Sequence, residues 1–570
     1  MAEEVWMLQT KKADFKQIGA RFRIDPVTAR IIRNRGIEGE AAIDRYLNGT
    51  LDDLYDPMLL KDMERAVSIL CEAVDTGKKI RIVGDYDIDG VCSTYILLQA
   101  FERLGSDVDF EIPDRIKDGY GINESIIEQA HADGVEVILT CDNGISAFHQ
   151  VELAKKYGMT VVITDHHEVP LDGEKEKIPP ADAVIDPKQA DCPYPFPEIC
   201  GAVVAYKLVQ VLYARRGVPQ MEWLDLLEFA AIATVGDVMK LQDENRILVK
   251  YGLKKMAQTK NLGLRRLAEK NNLDLGAITA YHIGFVIGPC LNAGGRLKTA
   301  KEALALLRAQ SEEEAERLAE ELKELNDTRK DMTEQGTEAA KLQVESWYQK
   351  DKVLVVFLPE CHESLAGIIA GRLREYYQKP AIVLTRGEEA VKGSGRSIDE
   401  YHMFKKLTEV SDLLLKFGGH PLAAGLSLEE KNIDEFRRRL NENAGLTEED
   451  FKVKVWIDVP MPVGYVTERL VRELSCLEPF GQGNEKPLFA EKSLRIRASR
   501  VLGRNRNVVK MTLEETDGHA IEALYFGDGT AFEEERAGRR EIDVVYYPDI
   551  NEYNGRKTLQ AVIRRYKFRG

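Results

Sequence analysis

Three acidic clusters, each at the end of a short apolar run, carry the most legible chemistry in this sequence. They are Gly84-Asp85-Tyr86-Asp87-Ile88-Asp89-Gly90, Cys141-Asp142-Asn143-Gly144 and Thr164-Asp165-His166-His167. Asp85 and Asp87 stand two apart, so each can reach a different cation of a pair ~3.5–4 Å apart. Asp142 stands alone after its run and, in a dinuclear site, becomes the natural bridging ligand. The adjacent imidazoles of His166 and His167 suit cations of the Mn²⁺ class, and Asp165 beside them can fix a tautomer. A fourth apolar run, Ala231–Gly236, ends in Asp237. Any one cluster also reads as a polar turn; together they read as a metal site. A calcium EF-hand does not fit, because the twelfth position is Ile96 and a strand precedes the loop. No Lys-Ser/Thr follows, so a phosphate-binding Gly loop fails too.

These side chains need a scaffold that collects them. Ile80–Val83, Val135–Leu139 and Val161–Ile163 read as strands, joined by Val108–Ile112 and Ala183–Ile185. Helical spacing falls between them, at Val91–Leu104, near Glu124 and near Ile145. This alternation predicts a parallel sheet with right-handed crossovers, whose ligands bind outside the carboxyl ends of the strands.

Residues 1–50 read as a helical lead-in packing on the domain next in sequence, and residues 51–310 as the α/β domain. Residues 311–347, rich in Glu and Lys and free of Pro, read as a connecting helix. A second αβ domain, 348–450, opens with Val353–Phe357. Short β runs over 451–570, parted by Asp517-Gly518, Asp528-Gly529 and Asn554-Gly555, predict a small β-barrel.

The net charge of −16 argues against a general nucleic-acid coat, but it is uneven. From Phe451 onward 21 Lys/Arg face 18 Asp/Glu, so the acidity lies in the first 450 residues. In that tail Arg495, Arg497, Arg500, Arg504 and Arg506 lie close in sequence, and Tyr525, Phe526, Tyr546, Tyr547 and Tyr553 offer stacking surfaces for a single strand. No stretch approaches the ~18 apolar residues of a membrane span, and the first residues lack the apolar segment of a secretory signal. Eight scattered Cys without a Cys-x-x-Cys or zinc spacing suggest reduced thiols in a cytoplasmic enzyme.

A second set of residues is phosphate-seeking. Gly393-Ser394-Gly395-Arg396-Ser397 and Gly418–Gly425, with His420, read as Gly-rich turns that present N–H groups and charge to an anion. Leu291–Arg296 adds Arg296 on a tight loop, and Pro113–Gly121 adds Arg115.

Taken together, these elements resemble the DHH phosphoesterase superfamily, and within it the bacterial single-strand-specific 5′→3′ DNA exonucleases. The resemblance rests on the three acidic clusters, the Arg115 loop, Val235–Met239, Leu291–Arg296, Leu325–Lys330, His362–Leu373, Gly393–Ser397, Gly418–Gly425 and Glu478–Phe489, and spans about 80–490. It implies a parallel-sheet DHH domain, a DHH-associated domain and a C-terminal oligonucleotide-binding (OB) barrel. It also implies two divalent cations, Mn²⁺ or Mg²⁺, on Asp85, Asp87, Asp142, His166 and Asp237, with Asp165 and His167 supporting catalysis. Arg115, Asn292, Arg296, His362, Ser394, Arg396 and His420 would meet DNA phosphates. Some relatives carry a His shortly before the first acidic pair; Arg81–Gly84 offers none, which implies a weaker first metal position. Single-stranded DNA, a single-stranded-DNA-binding protein and a repair helicase are the implied partners of a monomer. The alternatives are a hydrolase of oligoribonucleotides or cyclic dinucleotides, which is typically smaller and lacks the barrel, and a catalytically inactive replication scaffold, which should have lost ligands.

Overall fold

The computed structural model describes residues 3–115, 118–553 and 555–569. The chain divides into two compact units: residues 55–237 and 252–453 form one, with the first few residues, and 6–54, 238–251 and 454–570 form the other.

The chain starts with a strand, β1 (Glu4–Leu8), where only helix was expected; it pairs with Val453–Ile457. Three helices come next, Phe15–Phe22, Pro26–Asn34 and Glu40–Asn48. Their apolar faces, Ile31, Ile32, Ile43 and Tyr46, join the core of the C-terminal barrel rather than packing on the segment next in sequence.

In the first unit β2 (Ile80–Val83), β3 (Val108–Glu111), β4 (Val137–Cys141), β5 (Thr160–Thr164) and β6 (Ala183–Ile185) form an all-parallel sheet in the order β3-β2-β4-β5-β6. The order reverses between β2 and β4, which is where an open α/β sheet leaves its crevice. β2, β4 and β6 are buried along their whole length, as strands covered on both faces must be. Three helices matter for the site: α1 (Ile88–Arg103), α2 (Gly201–Arg215) and α3 (Leu227–Gly236), whose burial nearly all round explains their lack of polar stripes. Leu291–Arg296 lies not in a tight loop but in a helix, α4 (Gly288–Leu297), which a π-helical turn (Ile283–Ile287) precedes.

The long helix α5 (Glu312–Gln343) leads to a second sheet. Its strands, β7 (Leu354–Phe357), β8 (Ala381–Arg386), β9 (Val391–Arg396), β10 (Leu414–Gly419) and β11 (Ala423–Leu428), run in the order β10-β11-β9-β8-β7. Helix α6 (Ala366–Tyr377) packs on β8 and β9. The Gly393–Arg396 run is therefore strand, not turn. Gly393 and Gly395 face the core, where a Cβ would come within 2.5 Å of Leu384 and 3.0 Å of Met403.

In the other unit, five strands (Phe489–Leu502, Val508–Glu514, Ala520–Phe526, Glu541–Tyr553 and Arg556–Arg569) close into a barrel, because the first pairs with both its neighbour and the fourth. Asp528-Gly529 starts a helix, Gly529–Arg536, with Asp528 as its cap, rather than a turn between strands. Asn554, of the expected Asn554-Gly555 turn, and the Tyr553 side chain lie outside the described residues. Tyr546 and Tyr547 are buried in the barrel core and Tyr525 packs against it, so of the expected stacking aromatics Phe526 is the one that stands exposed. Arg497 is tied to Glu514, and Arg506 donates to Thr530 Oγ1 (3.0 Å).

Candidate metal centre

Neighbouring strand ends deliver the carboxylates. Asp85 follows β2 by one residue, Asp142 follows β4 directly, and Asp165-His166 follows β5. Val83 lies opposite Thr140 and Cys141 opposite Thr164, so the three turns open side by side. Asp237 arrives from the end of α3 and Asp87 caps α1, accepting from Asp89 N–H (2.9 Å) and Gly90 N–H (3.1 Å). Asp142 adopts a left-handed backbone (φ 61°). The start of α2 presses on it so closely that a Cβ at Gly201 would sit 2.7 Å from Asp142 Cβ. Only glycine fits there.

The side chains converge in three overlapping groups: Asp85, Asp87 and Asp142; Asp142, His166 and His167; and Asp89, His166 and Asp237. Within each group the ligand atoms lie within 4.8 Å of one another. Asp142 belongs to two of the groups, and so does His166. His166 Nε2 lies 3.1 Å from Asp142 Oδ1, 3.4 Å from Asp89 Oδ2 and 3.8 Å from Asp237 Oδ2. All five sequence-expected ligand positions are thus brought together.

So much like charge out of water is unfavourable without cations. Burial and the Asp87 charge push Asp85 up to about 8, and burial with Asp89 and Asp87 pushes Asp237 up to about 8. Burial and four neighbouring aspartates hold Asp142 far above the usual carboxylate range. Asp142 Oδ1 and His166 Nδ1 are buried without a hydrogen-bond partner among the described residues. Buried oxygen and imidazole donors, mutual repulsion and orphaned lone pairs fit a pair of hard divalent cations.

Asp165 works differently. It accepts from Ile145 N–H (2.9 Å) and His166 N–H (2.7 Å), and lies 2.7 Å from His167 Nδ1. Against the effect of burial, this imidazole keeps Asp165 ionised, so Nδ1 is the donor. Asp165 is an organiser of the turn and orients His167.

Three further residues were not singled out from sequence. Asp89 accepts from Gly201 and Ala202 N–H (both 2.7 Å) and so bolts the start of α2 to the cluster. Asn143 donates to Val83 O (3.0 Å) and accepts from Ile122 N–H (3.2 Å), joining two strand ends to the loop that carries Arg115. Tyr120, on that loop, donates its hydroxyl to Asp142 O (2.8 Å) beside the His167 ring. For Asp89 the signal was present, as the third acid of its motif; contacts of Asn143 and Tyr120 depend on tertiary approach.

Next to the acids lies a cationic cavity of about 250 Å³, lined by Tyr86, Arg115, Ser364, Thr385 and Ser394 among others. Arg115 sits over the Tyr86 ring, 4.8 Å from its centroid. Arg296, in the last turn of α4, donates to Ser364 O (3.1 Å); Asn292 is one turn earlier on the same helix. His362 Nδ1 lies 2.8 Å from Ser364 Oγ and braces it. Gly367, in the first turn of α6, makes room for Arg396, since a Cβ there would stand 2.9 Å from Arg396 Nη2. Burial, then Arg115, Arg329 and Arg396, push Arg296 down to about 10. Among the described residues no carboxylate pairs with Arg115, Arg296, Arg329 or Arg396. Arg329, on α5, had no sequence-assigned role. His420 stands exposed in the β10–β11 turn, where its backbone N–H donates to Ala423 O (2.7 Å), and is not part of the cavity lining.

Fold and site together have known counterparts. The model of the DHH family N-terminal domain matches residues 79–234, that of the DHHA1 domain residues 350–445 and that of the RecJ OB domain residues 457–565. The single-stranded-DNA-specific exonuclease RecJ of Bacillus subtilis (strain 168) is 36% identical over 564 residues, 98% of this chain and 70% of that protein. RecJ of Escherichia coli (strain K12) is 34% identical, with 95% of both chains covered. The crystal structure of RecJ from Thermus thermophilus in complex with Mn²⁺ superposes with a TM-score of 0.84 at 28% identity, covering 99% of this chain and 79% of that one. A structure of the same protein with Mg²⁺ gives a TM-score of 0.77 at 27% identity, covering 99% and 78%. The chain belongs to the RecJ family.

Proposed function

We propose that the chain is a metal-dependent exodeoxyribonuclease that removes nucleotides from the 5′ end of single-stranded DNA. The observation that carries this is the shared Asp142, which links buried groups of acids and imidazoles directly beside a cavity where, among the described residues, no carboxylate pairs with Arg115, Arg296 or Arg396. The relatives named above are single-stranded-DNA-specific exonucleases, which supports the substrate.

Asp85, Asp87, Asp142, His166 and Asp237 are the proposed ligands of two divalent cations, Mn²⁺ or Mg²⁺. Bound there, the cations would supply an activated water and neutralise charge at the scissile phosphate. Asp165 holds the Nδ1 proton of His167 and keeps that ring beside Asp142. Arg115, Arg296, Ser394 and Arg396 grip the terminal phosphate, with bidentate guanidinium contacts fixing its orientation. Asn292 and His362 support that grip, and His420 meets the strand from the β10–β11 turn. Strand selectivity then follows from the width of a cleft between the DHH and DHH-associated domains and not from base reading. The DHH domain (51–310), the connecting helix (311–347) and the DHH-associated domain (348–450) form the catalytic body behind the lead-in (1–50), and the OB barrel (451–570) grips the strand through exposed Phe526 and the basic residues Arg495, Arg500 and Arg504. By family, the chain works in the cytoplasm as a monomer beside a single-stranded-DNA-binding protein and a repair helicase, in recombination and repair. No helix among the described residues is long and apolar enough to cross a membrane.

The complete ligand set speaks against an inactive scaffold, and the barrel against a small oligoribonucleotide or cyclic-dinucleotide hydrolase. Digestion of 5′- and 3′-labelled single and double strands tests the proposal: loss of the 5′ label first, from single strands alone, is expected. Release of the 3′ label first, or attack on duplex ends, would refute it.

A further inference from the structure

The sheet that carries Ser394 continues past the arginine cavity. A second cavity, of about 370 Å³, shares Lys392, Gly425 and Leu426 with the first and adds Lys416, Phe417, Gly418 and Ser427. Strand alternation sets which polar side chains reach it. Along β9, Lys392, Ser394 and Arg396 share one face, half-covered by α6 at Ser394 and Arg396 and exposed at Lys392, while Val391, Gly393 and Gly395 are buried on the other. Across the sheet, Ser394 lies opposite Gly425, and Gly425 opposite Gly418; one row further, Lys392 lies opposite Ser427, and Ser427 opposite Lys416. This face, open beyond the edge of α6, is thus ruled in rows two residues, ~6.6 Å, apart. That step is comparable with the spacing of neighbouring phosphates on an extended strand.

The floor between the rows is bare, since a Cβ at Gly418 or Gly425 would meet nothing within 4 Å. Lys392 is held by Glu363 at 3.0 Å, but no carboxylate among the described residues pairs with Lys416. The order along the face is also fixed: Tyr86, between Asp85 and Asp87, lines the first cavity, whereas Lys416 belongs to the second, which none of the metal-site residues lines. Lys416 therefore lies on the side of Ser394 remote from the acids.

We infer that the Lys392–Ser427–Lys416 row holds a phosphate one step beyond the 5′-terminal phosphate, so that strands with a further 5′ phosphate group are substrates. This rests on the 5′-exonuclease reading. Two sources supply such a group, a 5′-triphosphate or one additional nucleotide. In either case the water oxygen bonds to the phosphorus of the cleaved diester, the P–O3′ bond breaks and a proton ends on that 3′ oxygen. The remaining strand keeps a 5′-monophosphate, and the released piece keeps its own 5′ phosphates, as a nucleoside triphosphate or a dinucleotide.

The test compares first-turnover products and apparent affinities for 5′-triphosphorylated and 5′-monophosphorylated single strands, using the full chain with Mn²⁺, as wild type, Lys416→Ala and Lys416→Glu. Release of a nucleoside triphosphate, with affinity for the triphosphate end reduced ~5- to 10-fold in both variants and the monophosphate end changed far less, is expected. A dinucleotide first product from the monophosphorylated strand, diminished in Lys416→Glu, supports the same site and identifies the extra nucleotide as the source. Exclusion of the triphosphate end by wild type, or equal effects of Lys416→Glu on both ends with mononucleotides alone released, overturns the inference. Failure of wild type on monophosphorylated strands would instead refute the 5′-exonuclease reading itself.

Discussion

The strand ends of the first sheet and the cationic cavity beside them are both crowded with like charge, yet they solve opposite problems. The first gathers aspartates until burial and repulsion lift their proton affinities; the second draws arginines from a loop, two helices and a strand until burial and their mutual repulsion bring Arg296 down to about 10. Among the described residues neither charge is balanced within its own region: Asp142 Oδ1 is buried without a hydrogen bond, and no carboxylate pairs with Arg115, Arg296 or Arg396. A phosphodiester held by divalent cations would satisfy both at once, which fits the adjacency of the two regions in one unit. The cost of assembling each is carried by the rest of the fold.

Separate substitutions should pull the two regions apart. Asp142→Ala removes the residue common to two ligand groups, so we expect kcat to fall by ~10³-fold or more while single strands are still bound. Retention of more than a few per cent of wild-type turnover in Mn²⁺ would break the dinuclear assignment. Arg396→Ala should act on the other side, raising KM for DNA by ~10- to 100-fold with manganese affinity unchanged. A collapse of metal affinity with unaltered DNA affinity would place Arg396 among the residues that support the acids.

An arginine outside both regions sharpens the contrast. Arg246 is fully buried in the barrel unit, donates to Tyr46 O (3.1 Å), Leu477 O (2.8 Å) and Cys476 O (2.7 Å), and lies 4.0 Å from the Tyr46 ring centroid. Its charge is already spent on the fold. Arg246→Ala should cost ~4 kcal/mol by stranding those carbonyls, seen as an earlier urea transition, without a direct effect on the metal count. A change below ~1 kcal/mol would show that the carbonyls find other partners.

An acid outside the cluster gives the smallest effect. Burial pushes Glu228 up to about 7 despite its hydrogen bond from Thr259 (2.7 Å). The folded chain therefore binds this proton more tightly than the unfolded chain. Its contribution is full below about 4.5 and is lost as pH rises through about 7. Glu228→Gln should flatten that loss by ~1–3 kcal/mol between pH 5 and 8, as urea denaturation at several pH values would reveal. An unchanged slope would show that Glu228 stays ionised in the folded chain.

The two regions also differ in how legible they were. Asp85, Asp142 and His166 each follow an apolar run, and a parallel sheet must bring such ends together, so spacing alone pointed to the metal site. The cationic cavity has no such rule. Arg115, Arg296, Ser364 and Ser394 come from a loop, a helix, a short turn and a strand, and only tertiary packing joins them. Gly-rich spelling was misleading there. Gly393 and Gly395 are small because Leu384 and Met403 fill the core beneath β9, and Leu291–Arg296 continues a helix despite two glycines. In the barrel, aromatic content marked core as much as surface, since Tyr546 and Tyr547 are buried. The lead-in helices found their core in a segment more than four hundred residues away, which periodicity cannot specify.

The most direct test counts cations. Equilibrium dialysis of the full chain against Mn²⁺ should find two tightly held ions per chain in wild type and at most one in Asp142→Asn, which keeps the side-chain shape but removes the bridging charge. A single ion in wild type, or two retained in Asp142→Asn, would contradict a metal pair shared at Asp142.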